Sequence, residues 1–337
     1  MEEQIDLIVN KYIDEEFFPS AVCQIFDGGK TIYNKAFGGV TTDTVFDVAS
    51  LSKIITSTEI LMLISEGKID LYEKIKKYIP IINEYKVLNE RLGDVTIEQL
   101  LTHNSGIIDW YPLYVQEGTV FDAMDKIIGQ YEKFEGTLYS DLNFMLLGEI
   151  IKSTTGLTLE ESLEKYIKKP LNIKNMYYCP ENKKNIAPTS YGNIIEEQMC
   201  SERNLYFDNW RRHDRALIGE VNDGNSFYFF NGVAGHAGIF ADVQAYADLC
   251  RYYMTSDDEL IKCSMLEQRK ERGLGWQISE SYPFGCGHSG FTGTSLWICG
   301  EKSIGAVIFT NRLYTRKEPK NLNNFRKEIH NCIFNNI

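Results

Sequence analysis

The strand-forming segments of this chain sit at its two ends, so any fold it adopts must bring the ends together. Residues 2–16 carry Ile5, Ile8, Val9, Tyr12 and Ile13 at helical spacing with acidic residues opposite. Ala21 to Phe26 then reads as a strand, Asp27-Gly28-Gly29-Lys30 as a turn, and Thr31 to Phe37 as the hairpin partner. At the other end, Ser295 to Cys299 and Ser303 to Thr310 are apolar β-type runs joined by Gly300-Glu301-Lys302. A last helix follows, with Phe325, Ile329, Cys332 and Ile333 on one face. The simplest arrangement is an α/β (α+β) fold in which one antiparallel β-sheet is flanked by the N- and C-terminal helices. The division predicted is 1–69 with 240–337 as the α/β sheet domain and 70–239 as a mainly helical inserted domain. An active site is expected at their junction.

Inside that frame the helical signals are local and specific. Ser50 to Glu66 is a helical run stopped by Gly67. Thr96 to Leu101 opens on a Thr-x-x-Gln capping signature, and Asn143 to Ser153 ends ahead of Gly156. A loop-rich stretch from about 180 to 236 collects aromatic residues and glycines.

The net charge of -12 argues against nucleic acid as a partner, because phosphate binding needs a basic stripe and the basic runs here are short. The N-terminus Met1-Glu2-Glu3 is acidic where an export signal needs positive charge, and the most apolar window, Ile60 to Ile64, is too short to span a bilayer. No membrane association and a cytoplasmic location are the expectations. The eight cysteines (23, 179, 200, 250, 263, 286, 299, 332) form no C-x-x-C pair and do not cluster with histidines, so neither a disulfide framework nor a metal site is expected. Cys286, close to His288, is the one cysteine that raises the question of a thiol nucleophile. No organic cofactor is implied, and the oligomeric state is left open.

Three constellations carry chemistry. Ser50 and Lys53, one helical turn apart, put a hydroxyl and an amine roughly 5–6 Å apart at Cβ. A serine hydroxyl needs a base within reach to become a nucleophile, and apolar flanks (Val48, Ala49, Ile54, Ile55) would bury the lysine. The four-residue pattern alone fits equally a serine helix cap with a lysine reaching to water. Tyr139-Ser140-Asp141 lies just before a helix, and a tyrosine beside an ammonium ionises more easily and shuttles protons. His288-Ser289-Gly290 is a glycine-bearing strand along whose edge a substrate could lie, with the histidine at the pocket wall.

Taken in order, these blocks resemble the serine β-lactamase and penicillin-binding-protein superfamily, on its class C-like branch with D-Ala-D-Ala carboxypeptidases and β-lactamase-fold esterases. Phe46-Asp47-Val48-Ala49-Ser50-Leu51-Ser52-Lys53 is similar to F-x-x-A-S-x-T-K. Glu66 to Leu71, Thr96 to Gly106 and the glycine-rich Gly232 to Gly238 resemble further blocks, and the matches cover about residues 20–310. The resemblance implies that Ser50 is the acylated nucleophile, Lys53 its base and Tyr139 the catalytic tyrosine. His288, Ser289 and Gly290 would stand for the K-T-G strand, with the N–H groups of Ser50 and Phe291 as oxyanion hole. It implies an ester, amide or peptide-like small molecule as substrate and no cofactor.

Two departures stand out. Asp141 occupies the asparagine position of Y-x-N, cannot donate an amide hydrogen, and could instead hold Lys53 protonated, moving base duty to Tyr139. His288 replaces the lysine of K-T-G and is a weaker clamp for a substrate carboxylate. These departures keep open a catalytically idle ligand-binding or sensor module beside the hydrolase. Esterase, D-amino-acid peptidase and β-lactamase remain undivided. His103 and His236 are expected to hold loops, Asp223 to border the pocket, and Trp110, Tyr111, Tyr228, Phe229 and Phe230 to line a substrate groove.

Overall fold

The computed structural model describes residues 1–336 and joins the two chain ends in one sheet. The first hairpin is β1 (Ala21–Asp27) with β2 (Lys30–Phe37). The last strands are β6 (Cys286–Ser289), β7 (Ser295–Cys299) and β8 (Ile304–Thr310). Their order is β2-β1-β8-β7-β6, antiparallel throughout, and β1 lies along β8 from Ala21 opposite Thr310 to Asp27 opposite Ile304. The central strand β8 is buried along its full length, which an antiparallel sheet allows only when both faces are covered.

One face is covered as expected. The terminal helices Glu2–Asp14 and Asn323–Asn335 pack together on it, with Tyr12 against Phe325 at 4.9 Å and Lys11 paired with Glu328 at 3.1 Å. Ile5, Val9, Ile329 and Ile333 join Cys23, Ile25, Ala306 and Ile308 in that layer. Nothing in the sequence pattern marks what covers the other face. There Val22, Phe26, Val307 and Phe309 meet the helix Val243–Thr255 and the helix Ser52–Ser65. The helix Ser52–Ser65 is buried on nearly every side, its polar Lys53, Thr56, Ser57, Thr58 and Glu59 included.

Between these ends the described chain is mostly helical, with three short strands, the middle one being β4 (Met176–Tyr178). It joins β3 (Phe46–Asp47) and β5 (Ile239–Ala241) in a small second sheet of order β3-β5-β4. The expected boundary at 239/240 falls inside β5. The capping box at Thr96 is present, with Gln99 answering the Thr96 N–H. The helix Ser52–Ser65 ends one residue before Glu66, with Gly67 at φ +71°.

Where the helix Ser52–Ser65 meets the middle segment, Glu59 is buried and its carboxyl is bonded by the Ser162 hydroxyl. Burial pushes this carboxyl up to about 8 from its ordinary 4.5. The folded state then holds a proton that the unfolded chain releases, so the stabilisation is complete below pH 4.5 and is lost as pH rises towards 8. Wild type should lose about 1.4 kcal/mol per pH unit from this group across that window. Urea midpoints at pH 5, 7 and 9 should show Glu59→Gln lacking this part of the alkaline loss. Parallel pH dependence in the two proteins would rule it out.

Candidate active site

The site begins with a forced backbone. Ala49 sits at φ +48°, a conformation costly for a residue with a Cβ, and it turns the chain sharply from β3 into a short 3₁₀ turn, Ala49–Leu51. Ser50 lies in that turn rather than at the helix start expected from the sequence, because the α-helix begins at Ser52. Asp47 holds the turn: its carboxylate accepts the Ala49 N–H at 2.9 Å and the Asn222 N–H at 2.6 Å, joining this bend to the loop that carries Asp223. Burial raises the Asp47 carboxyl to about 6, against the pull of those two amides.

Lys53 has a fully buried side chain. Its ammonium donates to Ser50 Oγ at 2.9 Å and to the His236 carbonyl at 3.1 Å, and pairs with Asp141 Oδ1 at 2.7 Å. The last contact is electrostatic rather than an aligned hydrogen bond. Burial by itself pulls the ammonium down, but the Asp141 charge, with Tyr139, reverses this and the net shift is upward. Lys53 is therefore a standing cation.

Tyr139 presents its ring 4.9 Å from the Lys53 ammonium. Burial raises its hydroxyl, Lys53 opposes that, and Asp141 adds to it, for a net upward shift. The loop bearing Tyr139 is tied to residues 103–109. The Leu138 N–H donates to the His103 carbonyl, the Ser140 N–H to His103 Nδ1 at 3.0 Å, and the Ser140 hydroxyl to the Ile108 carbonyl. Nδ1 of His103 is thus an acceptor, and the imidazole is a loop clamp as expected.

His236 bonds Asp223 through Nε2 at 2.9 Å, and the bend that carries it packs on the helix Asp141–Thr155. A Cβ on Gly235 would fall 2.2 Å from the Phe144 carbonyl, which explains why that stretch is glycine-rich. Asp223 is held below the ordinary carboxylate range: burial raises it, but the His236 imidazole outweighs this.

The third block is brought in by the turn after β6. Thr292 and Thr294 hydroxyls donate to the carbonyls of Asp47 and Val48 at 2.7 and 2.9 Å. A Cβ on Gly290 would lie 2.5 Å from the Val48 carbonyl, so only glycine permits this approach. The result sets Phe291, 46% exposed, beside the Ser50 turn.

A cavity of about 530 Å³ opens over this array, lined by Ser50, Tyr139, Asp141, Asp223 and Phe291 among others. Glu196, Asn193 and Arg316 also line it. Nothing in the sequence marked them, because their positions follow from how the 190s and the segment after β8 fold over. Of the expected aromatic lining only Trp110 is there. Tyr228 instead packs with Tyr114, Phe207 and Trp210.

His288 requires a correction. It is fully buried on β6, does not line the cavity, and donates its Nδ1–H locally to the Ser289 carbonyl at 2.9 Å. Burial, then the charges of Lys53 and Arg272, push its imidazole well below its ordinary value, so it is neutral. Ser289 and Gly290 likewise do not reach the cavity wall; only Phe291, after them, does. Cys286 is buried and its thiol is raised well above the ordinary range by burial, so it is no thiolate nucleophile.

The Beta-lactamase family matches residues 5–331, and the chain belongs to that family. The N-acetylmuramyl-L-alanine amidase of Bacillus subtilis (strain 168) is 28% identical, the alignment covering 88% of this chain and 78% of the amidase. Among solved structures, EstCE1, a hydrolase with promiscuous acyltransferase activity, superposes with TM-score 0.73 at 16% identity over 98% of each chain. A class C beta lactamase superposes with TM-score 0.72 at 17% identity, over 98% of this chain and 97% of the other. The protein is a serine hydrolase of the β-lactamase-related family. Among the described residues no helix is long and apolar enough to cross a membrane.

Gly290→Ala should drive its Cβ into the Val48 carbonyl and the Thr294 hydroxyl and push Phe291 off the Ser50 turn. If the Phe291 N–H is an oxyanion donor, kcat should fall about a hundredfold, the usual cost of losing one. Gly300→Ala, where a Cβ meets nothing within 4 Å, serves as the control. Equal kcat values for the two variants on an activated ester would count against this placement.

Proposed function

We propose that Ser50 is the nucleophile of an acyl-enzyme cycle in which Tyr139, not Lys53, moves the proton. The observation that carries this is the Lys53 ammonium, 2.9 Å from Ser50 Oγ and paired at 2.7 Å with Asp141. An amine held protonated by an adjacent carboxylate donates hydrogen bonds and cannot accept the serine proton. Tyr139 is the titratable group left beside it. Its phenolate, made beside Lys53, takes the Ser50 proton as Oγ bonds to the substrate carbonyl carbon. The Ser50 and Phe291 N–H groups receive the negative charge on the carbonyl oxygen. Tyr139 then protonates the leaving alcohol or amine as the carbonyl–heteroatom bond breaks. Water repeats the sequence, with Tyr139 accepting its proton, and the acid departs from a regenerated Ser50.

The substrate we infer is a neutral or cationic peptide-like ester or amide. The cavity falls in the range of small-ligand sites. Asp141, Asp223 and Glu196 line it, and burial followed by the Asp223 charge raises the Glu196 carboxyl to about 8. His288, neutral and behind the wall, supplies no clamp for a carboxylate. Arg316 and Lys317 line the cavity as well, but the acids Asp141 and Asp223 line it together with Ser50 and no clamp stands on β6, which disfavours a penicillin carboxylate next to the reacting bond. The amidase name of the Bacillus relative supports an amide among the substrates. The eight free, scattered thiols support a reducing, cytoplasmic location.

A fluorophosphonate should add one adduct to wild type, seen by intact mass, and none to Ser50→Ala. A neutral p-nitrophenyl ester and a p-nitroanilide should be hydrolysed faster than benzylpenicillin. An adduct that persists in Ser50→Ala would dismiss Ser50, and faster penicillin turnover would dismiss the substrate class.

Asp141 gives the proton assignment its own test. Its charge raises both Lys53 and Tyr139. Activity should require deprotonated Tyr139, so kcat/KM rises with pH in wild type. In Asp141→Asn that rise should move to lower pH, and the alkaline fall set by Lys53 should move down with it. A rise that stays put or moves up would be incompatible with Tyr139 as the base.

A further inference from the structure

The strand that would carry a lysine beside the tyrosine carries a neutral, buried His288 instead. A cation nevertheless stands against Tyr139 from another element. Arg272 lies in a tight chain reversal after the helix Glu259–Ser264, with its N–H bonded to the Arg269 carbonyl at 2.9 Å and bridge partners Arg269 and Gln277. Its guanidinium carbon is 5.3 Å from the centre of the Tyr139 ring, close to the 4.9 Å separating the Lys53 ammonium from that ring. Among the described residues, no carboxylate lies within ion-pair distance of Arg272, and its buried Nε has no hydrogen-bond partner. Arg272 is half-buried, and a guanidinium partly withdrawn from water is ordinarily paired with an acid.

The groups around the tyrosine are few. Lys53 and Ser50 face it from the nucleophile turn and helix, and Asp141 from the start of the following helix. His103 stacks at 4.5 Å and His288 lies at 6.1 Å. Both imidazoles are neutral: burial holds each well below its ordinary value, and the charges of Arg272 and Lys53 add to that. Arg272 itself is drawn down by burial and held up by Tyr139, then by Glu271 and Tyr282. Arg326 contributes a further positive charge behind His288. Facing the ring, then, are the two cations Lys53 and Arg272 against the single anion Asp141.

We propose that Arg272 is a positioning residue for the hydrolysis, supplying through space the second positive charge that stabilises the Tyr139 phenolate when the tyrosine takes the Ser50 proton. It touches neither substrate nor the reacting atoms, and it does from the 269–277 segment what a lysine at position 288 would do from β6. This inference rests on the reading of Tyr139 as base.

The test is kcat/KM against pH, from 6 to 11.5, on a neutral p-nitroanilide, for wild type, Arg272→Gln, Arg272→Lys and Tyr139→Phe. Removing the cation in Arg272→Gln should move the rise of kcat/KM up by about one pH unit, with a roughly tenfold loss at pH 7.5 that fades at high pH. Arg272→Lys should keep the wild-type midpoint. A structural role alone would lower the whole profile without moving it, and that result overturns the inference while leaving Tyr139 as base. Near-wild-type activity in Tyr139→Phe would instead remove the base assignment and this inference together. If Arg272→Gln proves unfolded by circular dichroism, Arg272→Met compared with Arg272→Lys is judged by the same midpoint.

Discussion

A single ammonium group, sealed from water, organises this protein. Lys53 is fully buried, and an unpaired charge there would cost several kcal/mol. Its compensation comes from three separate stretches of chain: the Ser50 hydroxyl on its own turn, the His236 carbonyl more than 180 residues later, and the Asp141 carboxylate at the head of another helix. None of these can move away without stranding the charge. The fold around the site is thus held to one geometry by the same contacts that give the serine its environment.

The scaffold supports that geometry with backbone constraints. Ala49 accepts a positive φ so that Ser50 projects from a bend, and Asp47 fixes the bend to the Asn222 loop. The turn after β6 is laced by threonine hydroxyls to the carbonyls just ahead of the serine. The Tyr139 loop hangs on His103 and Ile108. Four loops from distant parts of the sequence meet there, and the five-stranded sheet with its two covered faces gives them a rigid base.

In the proposed mechanism, Asp141 is what separates the roles of Lys53 and Tyr139. A neutral amide at that position would leave the ammonium free to share a proton; a carboxylate 2.7 Å away holds it charged. On that proposal proton transfer falls to a tyrosine whose burial disfavours ionisation, and the surrounding cations set how far that is offset. With His103 and His288 both neutral, the balance rests on Lys53 and on Arg272.

Features written in short stretches, and the placing of strand-forming runs at the two ends, were legible before the chain folded. The hairpin at Asp27 to Lys30, the Thr96 capping box, the stop at Gly67 and the antiparallel pairing of the chain ends follow from turn chemistry, capping and apolar period. So were the ordered blocks of Ser50, Lys53, Tyr139 and Asp141, since each is written in a few consecutive residues. Tertiary structure decided what depends on enclosure. His288 stands in a recognisable block, yet whether it faces the cavity or the core is set by which side of β6 packs inward, and it packs inward. Arg272 lies in no motif and is placed against Tyr139 only because a chain reversal brings it there. Glu196, on the helix Ile194–Glu202, and Arg316, after β8, reach the cavity wall with no motif to mark them. Burial and charge act through space, and a linear pattern records neither until the chain has closed around them.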